Sequence, residues 1–204
     1  RFNFQSENFT VEVFVYPTTL QQCGIYSQWG GGSNRSFKIT MTSSGAVAVN
    51  GSRNGSTGNH LAITSSENLT VNNWHHIAAV CSNSTVTLYI NGKNSGSGGI
   101  GGSLYNSTNN IAIGANIAGV ASNLFAGFID DLRVTKGIAL YSQNFVPPSQ
   151  AVGASLSGTN ETNSGSNLTS LYLPLNSDVN DHSSNNHTIT GLGGAVISSG
   201  QSRF

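Results

Sequence analysis

Eight carboxylates could serve acid–base or metal chemistry: Glu7, Glu12, Glu67, Glu161, Asp130, Asp131, Asp178 and Asp181. Glycoside hydrolysis needs two carboxyl groups about 5–10 Å apart across the scissile bond. Asp130 and Asp131 are adjacent, and neighbouring residues of a strand are expected on opposite faces, where they cannot act as a pair. Cys23 and Cys81 lack the His and Asn context of a thiol nucleophile. His75 and His76 fall mid-strand on opposite faces, and His182 and His187 flank a loop without identifiable co-ligands. The expectation is a protein that is not an enzyme and carries no cofactor.

The remaining chemistry is that of contact and covalent decoration. Tyr16, Tyr26, Trp29 and Tyr105 could stack on sugar rings; of these Trp29 and Tyr26 are the candidates carried forward, and Trp74 is assigned to the core. Trp29 precedes Gly30-Gly31-Gly32, which sets a ring beside a pliant loop. Ten Asn-X-Ser/Thr sequons occur, and Asn83, Asn106, Asn160 and Asn167 are the expected N-glycan sites if the chain is secreted from a eukaryotic cell. Cys23 and Cys81 lie near the ends of strands. If those strands are neighbours, a disulfide would close a loop of roughly 59 residues and contribute about 3–4 kcal/mol through the unfolded state.

The composition limits the partners. Charged residues make up 8% of the 204 positions, and eight cations balance eight anions to a formal net charge of zero. That leaves no basic field for a polyphosphate, so nucleic acid is not an expected partner. No apolar run approaches the ~20 residues of a membrane-spanning helix, so membrane insertion is not expected. The polar surface must come from Asn, Ser, Thr and Gly, a composition that points to an extracellular setting. The chain opens at Arg1 without an apolar leader and reads as a mature or excised piece of something larger.

What positions these residues is a period of two. In Asn8–Tyr16, Phe9, Val11, Val13 and Val15 share one face, while Thr10, Glu12, Phe14 and Tyr16 share the other. Similar runs span Gly24–Trp29, Ser36–Thr42, Ala46–Asn50, His60–Thr64 and Trp74–Cys81, and then Ser84–Asn91, Asn110–Gly114 and Phe125–Thr135. A tight hairpin is expected at Ser82-Asn83, and Asn91-Gly92 suits a turn with positive φ. Many short strands and no amphipathic helix predict an all-β, two-sheet antiparallel jelly-roll sandwich. Residues 1–150 form its body. A Ser/Gly/Asn-rich linker covers 151–169, and a strand-forming tail covers 170–204, with runs at Leu171–Leu175, His187–Thr190 and Gly194–Ser199.

Five phrases, in this order, resemble the laminin G-like, concanavalin A-like jelly rolls of phage, viral and microbial surface proteins. They are FTVEVFVYP (Phe9–Pro17), WHHIAAV (Trp74–Val80), LYINGK (Leu88–Lys93), IAIGAN (Ile111–Asn116) and FAGFIDDLRVTKGIALY (Phe125–Tyr141). The resemblance covers residues 9–149 and implies two antiparallel sheets of six or seven strands each. The glucanase members of the family carry an alternating ExDxE-type run on one strand, and this chain has none. Some members hold Ca²⁺ with loop carboxylates, which implies Asp130 and Asp181 as ligands of a structural calcium; His182 and Asn185 depart from the family pattern in that loop.

The resemblance also makes the tail informative. LYLPLNSDVNDHSSNNHTITG (Leu171–Gly191) and GAVISSGQSRF (Gly194–Phe204) look like phrases that normally open such a domain, here displaced to the C-terminus. Three readings follow: the tail completes the next copy, it folds back on its own body, or it begins a second, incomplete domain. The first predicts a structural subunit of an extracellular fibre. Identical copies would assemble head to tail by strand donation, with Leu171, Leu173, Ile189, Val196 and Ile197 as buried anchors. The alternative is a monomeric carbohydrate-binding or adhesion module of a phage tail or cell-surface protein.

Overall fold

The computed structural model describes residues 2–56, 58, 60–116, 123–151, 168–175, 178–191 and 196–197. Two antiparallel sheets face each other. The six-stranded sheet is built from β1 (Phe9–Pro17), β6 (His75–Ser82), β7 (Thr85–Ile90), β8 (Lys93–Gly99), β10 (Gly127–Lys136) and β11 (Thr169–Leu173), in the order β11-β10-β1-β6-β7-β8. The five-stranded sheet contains β2 (Cys23–Trp29), β3 (Arg35–Met41), β4 (Ala46–Gly51), β5 (Leu61–Asn68) and β9 (Ala112–Ile113), in the order β5-β4-β3-β2-β9.

Alternation fills the space between the sheets. Phe9, Val11, Val13 and Val15 of β1 and Ile77, Ala79 and Cys81 of β6 meet Phe37, Ile39 and Met41 of β3 and Val47 and Val49 of β4. Phe4, Phe9 and Phe37 pack as a ring cluster at the Phe9 end, with centroids 4.1–5.8 Å apart. Burying side chains of this kind supplies about 1.5–3 kcal/mol each and drives the two sheets together.

The hairpins follow Asn chemistry. Ser82 pairs with Thr85, so the turn residues are Asn83 and Ser84, with φ of 50° and 62°. The turn thus sits one residue beyond the expected position. Asn91-Gly92 repeats that geometry between β7 and β8. Gly92 is obligatory there on two counts, since its φ is +76° and a Cβ would lie 1.9 Å from the Phe145 carbonyl oxygen.

Strand β8, KNSGSGG, has no apolar alternation and was not expected. Its position is explained by what it touches. Gly96, with φ of +149°, leaves room for Ile63 of β5, whose Cγ2 would lie 2.9 Å from a Cβ at that site. Ser95 Oγ accepts from the Ser66 amide at 3.0 Å. Small residues let the two sheet edges close on each other.

Strand β11, the first strand-forming run of the tail, pairs within this chain. β11 pairs with β10, setting Leu171 opposite Val134 and Leu173 opposite Leu132, and both leucines enter the core. The outer edge of β11 is also bonded. Asp181 Oδ1 accepts from the Tyr172 amide at 3.1 Å, the His182 amide donates to the Tyr172 carbonyl at 2.8 Å, and Asn185 Nδ2 donates to the Ser170 carbonyl at 3.1 Å. His187–Thr190 forms no strand, although Ile189 packs against the core. Val196 and Ile197 are exposed at 83% and 39%, so they do not act as buried anchors within this chain. Most of Gly194–Ser199 lies outside the described residues.

Candidate functional site

The two outer faces of the sandwich differ in what covers them. On the six-stranded sheet, residues 137–145 cross from β1 to β8. The Leu140 amide donates to Thr10 Oγ1, the Phe145 amide to the Gly92 carbonyl, and the Asn94 amide to Asn144 Oδ1. Under this strap, Tyr141 and Phe145 stack at 3.6 Å over Ala78, Val80 and Tyr89.

The strap seals a charged cluster. Glu12, wholly buried, receives Arg133 Nε at 2.7 Å and Tyr141 Oη at 2.8 Å, and His76 Nε2 lies 3.1 Å away. Burial alone would raise the Glu12 pKa. The Arg133 guanidinium, His76 and Tyr141 more than offset it and hold the carboxyl at about 2. A carboxylate this firmly ionised and closed to solvent cannot act as a general acid on an outside ligand.

On the five-stranded sheet β2 is buried throughout, with Ser27 Oγ donating to the Asn116 carbonyl, and among the described residues the outer face lies open over β3, β4 and β5. Phe37, Ile39 and Met41 face inward, so Lys38 and Thr40 face outward, with Asn50 and Ala48 beside them on β4 and Ala62 and Thr64 on β5. Ala62, Thr64 and Ser66 are exposed, and Lys38, Thr40, Ala48 and Asn50 are half-buried. Among the described residues, Lys38, Asn50 and Thr64 make no side-chain hydrogen bond or ion pair, which leaves their polar groups to solvent or ligand.

One end of this face carries the charge. Lys38 Nζ lies 4.8 Å from the centroid of the Trp29 ring. Arg35 sits opposite Trp29 in the β2–β3 pairing, and its guanidinium donates to the Gly32 carbonyl. Burial lowers the Lys38 pKa, and Arg35 lowers it further. Around this corner gather residues 30–34, 52–56 and 101–109. Asn34 Nδ2 donates to Thr108 Oγ1, the Arg35 amide to the Gly55 carbonyl, and the Tyr105 amide to the Ser52 carbonyl.

The residues singled out from sequence scatter. Trp29, 8% exposed, ends β2 at the open face. Tyr26 is a correction, because its ring is wholly buried against Phe37 and no ligand can reach it. Register shifts at Gly24/Tyr26 and Ser27/Trp29 bring both Ile25 and Tyr26 into the core, which strict alternation cannot do.

Cys23 and Cys81 are a second correction. They are free thiols in different sheets, β2 pairing with β3 and β9 while β6 pairs with β1 and β7, so the neighbouring strands a bridge was expected to join are absent. Burial pushes both thiols up to about 11.

Asp130 and Asp131 are both buried at a bulge where Asp131 and Leu132 together oppose Val13. Asp131 has φ of 48°, and Asp130 Oδ1 accepts its amide at 3.0 Å. Asp181 accepts the amides of Tyr172, Ser183 and His187 and the Ser183 hydroxyl. Donors thus reach both of its carboxylate oxygens. Among the described residues no group of three or more His, Cys, Asp or Glu side chains is arranged to hold a metal. Asn83 and Asn106 are exposed, whereas Asn160 and Asn167 lie outside the described residues.

One cluster escaped the sequence reading. Tyr16, Trp74 and Phe128, all half-buried, meet edge to face at 5.6 and 5.8 Å on the uncovered end of the six-stranded sheet. Tyr16 is a stacking candidate on the sequence alone, but Trp74 is expected in the core, so the sequence does not bring the three rings together.

A model of the concanavalin A-like lectin/glucanases superfamily matches residues 1–142. No curated protein matches the chain. Among solved structures, a protein from Bacteroides ovatus, provisionally named a carbohydrate binding protein, is 16% identical with a TM-score of 0.61, over 87% of this chain and 48% of that one. This chain thus spans about half the length of that relative. The Ruminococcus gnavus IT-sialidase CBM40 is 16% identical, with a TM-score of 0.56 over 67% of this chain and 79% of that one. Domains LG4-5 of the mouse laminin alpha1 chain are 13% identical, with a TM-score of 0.53 over 73% and 43%. At these identities the likeness is one of fold.

Proposed function

The chain belongs to the concanavalin A-like lectin/glucanases superfamily, and from that premise we propose that it is a non-catalytic carbohydrate-binding or adhesion module working outside the cell. The observation that carries the reading is the outer face of β3, β4 and β5, where Lys38 lies over Trp29 and the side chains of Lys38, Asn50 and Thr64 make no hydrogen bond or ion pair among the described residues. Sugar recognition draws on a polar surface with uncommitted donors and acceptors, and the side chains of Lys38, Asn50 and Thr64 are of that kind. The name of the Bacteroides ovatus neighbour points the same way. The absence of catalysis is supported by the fate of the acids: Glu12 is sealed, Asp181 is spent on amides, and Asp131 receives the Tyr172 hydroxyl. For the extracellular setting the support is compositional; among the described residues no helix is long and apolar enough to cross a membrane.

Gel electrophoresis through soluble polysaccharides tests this. Retardation is expected, and Lys38→Gln should relieve it. The half-exposed Tyr16–Trp74–Phe128 group favours a second reading, stacking on the opposite face, and Trp74→Ala relieving the retardation instead would select it. A chain that runs freely in every polysaccharide tried sinks both.

Head-to-tail fibre assembly takes a lower place in the proposal. Its support is the displaced opening phrases. Against it, β11 pairs within its own chain, and its outer edge is bonded to the 181–185 turn. Sedimentation of the purified chain over a hundredfold concentration range is expected to return one mass; concentration-dependent growth would revive the fibre.

A further inference from the structure

Charge on the described part of the molecule is unevenly spent. Arg133 is held by Glu12 at 2.6 Å, and Lys136 by Glu7 at 3.3 Å. Arg35 and Lys38, three residues apart on β3, have no carboxylate partner among the described residues. Arg53 lies in the loop bonded to Arg35, and its own guanidinium donates to the Gly101 carbonyl. Glu67 stands at the far end of β5, beyond reach of this corner. Among the described residues, Arg35 and Lys38 thus stand beside one ring on the outer face without a carboxylate partner.

The corner is built as well as charged. The Gly32 carbonyl fixes the Arg35 guanidinium, whose Nε is buried without a hydrogen-bond partner. Lys38 is held over Trp29, so a neutral sugar could stack on that ring only by displacing the ammonium. An anion need displace nothing. It would pair with Lys38 from the solvent side and relieve the mutual repulsion of the two cations.

We propose that the Arg35–Lys38 corner is an anion subsite of the open face, so that the glycan bound there is acidic, carrying a carboxylate or a sulfate. This rests on the carbohydrate-binding reading and narrows it to a ligand class. The carboxylate and the sulfate share the chemistry that two adjacent cations recognise, and the probes below tell them apart.

The experiment is calorimetric and chromatographic binding of the whole chain to polygalacturonate (carboxylate), chondroitin sulfate (both groups), dextran sulfate (sulfate alone) and dextran (neutral), with a DNA oligonucleotide as a non-sugar polyanion. Binding to at least one acidic polymer but not to dextran is expected. It should weaken at least tenfold with Lys38→Gln and again with salt raised from 50 to 500 mM. Lys38 is half-exposed, so the variant should keep its melting temperature, and Lys38→Arg should restore binding. Equal binding of dextran, indifferent to salt, overturns the proposal while leaving a carbohydrate module. So does loss of acidic-polymer binding on Trp74→Ala but not on Lys38→Gln. DNA bound as tightly as the acidic glycans overturns it in favour of unselective charge. Failure to bind any probe overturns it and the carbohydrate reading together.

Discussion

The two outer faces begin from one rule of alternation and reach opposite ends. On the six-stranded sheet a strap of 137–145 lies across the outward side chains, so any charge there must be satisfied inside the protein. Glu12, Arg133, His76 and Tyr141 meet that condition as a closed set. On the five-stranded sheet no described segment lies across β3, β4 and β5, water can satisfy Lys38 and Asn50, and the fold tolerates unpaired cations side by side. Outward-facing polarity is therefore structural where a strap covers it and available for binding where it is open.

The sharpest way to break this contrast is to remove a charge from the covered face. Glu12→Gln leaves Arg133 buried beside a neutral amide and should cost about 3–5 kcal/mol in urea unfolding. It should also change the response to pH. The Glu12 pKa falls from 4.5 to about 2 on folding, so its stabilisation is complete above the unfolded value and is lost as pH falls from about 4.5 toward 2. The variant should lack that portion of the acid destabilisation. An unaltered acid limb would mean that the cluster is not what holds the strap.

A smaller loss is expected from the edge that the tail completes. Leu173→Ala removes a buried side chain opposite Leu132 and should cost about 2–4 kcal/mol by the same measurement. An unchanged midpoint would show that β11 contributes nothing to this sandwich in solution. Least of all should be felt on the open face. Lys38→Gln should shift stability by no more than about 0.5 kcal/mol, whatever it does to binding. A shift of 2 kcal/mol would make Lys38 a packing residue and end the comparison.

Much of the architecture was readable because β1, β3, β4, β6 and β7 obey period two and expose their inward set without ambiguity. The failures have physical causes. Strand β8 is specified by a need for smallness against Ile63, which no propensity for strand reveals. Tyr26 was lost to a bulge, since one extra residue reverses every later assignment of face. The burial of Glu12 was not legible, because it depends on a segment more than a hundred positions away, joined to it through Tyr141. The candidate site was half legible. Trp29 was in view, but Lys38 and Arg35 drew no notice as single charges in a neutral chain, and only the pairing of β2 with β3 sets them around that ring.

The two free cysteines acquire a use from the same architecture. Each sheet holds one sealed thiol, Cys23 at 1% exposure and Cys81 at 2%, and burial keeps both protonated at neutral pH. A thiol reagent can therefore report only on molecules that have opened, and the two sulfurs keep separate time for the two sheets. If the sheets part together, both will label at one rate. If one loosens first, the ratio of the rates will say which, without any foreign probe having been added to the chain.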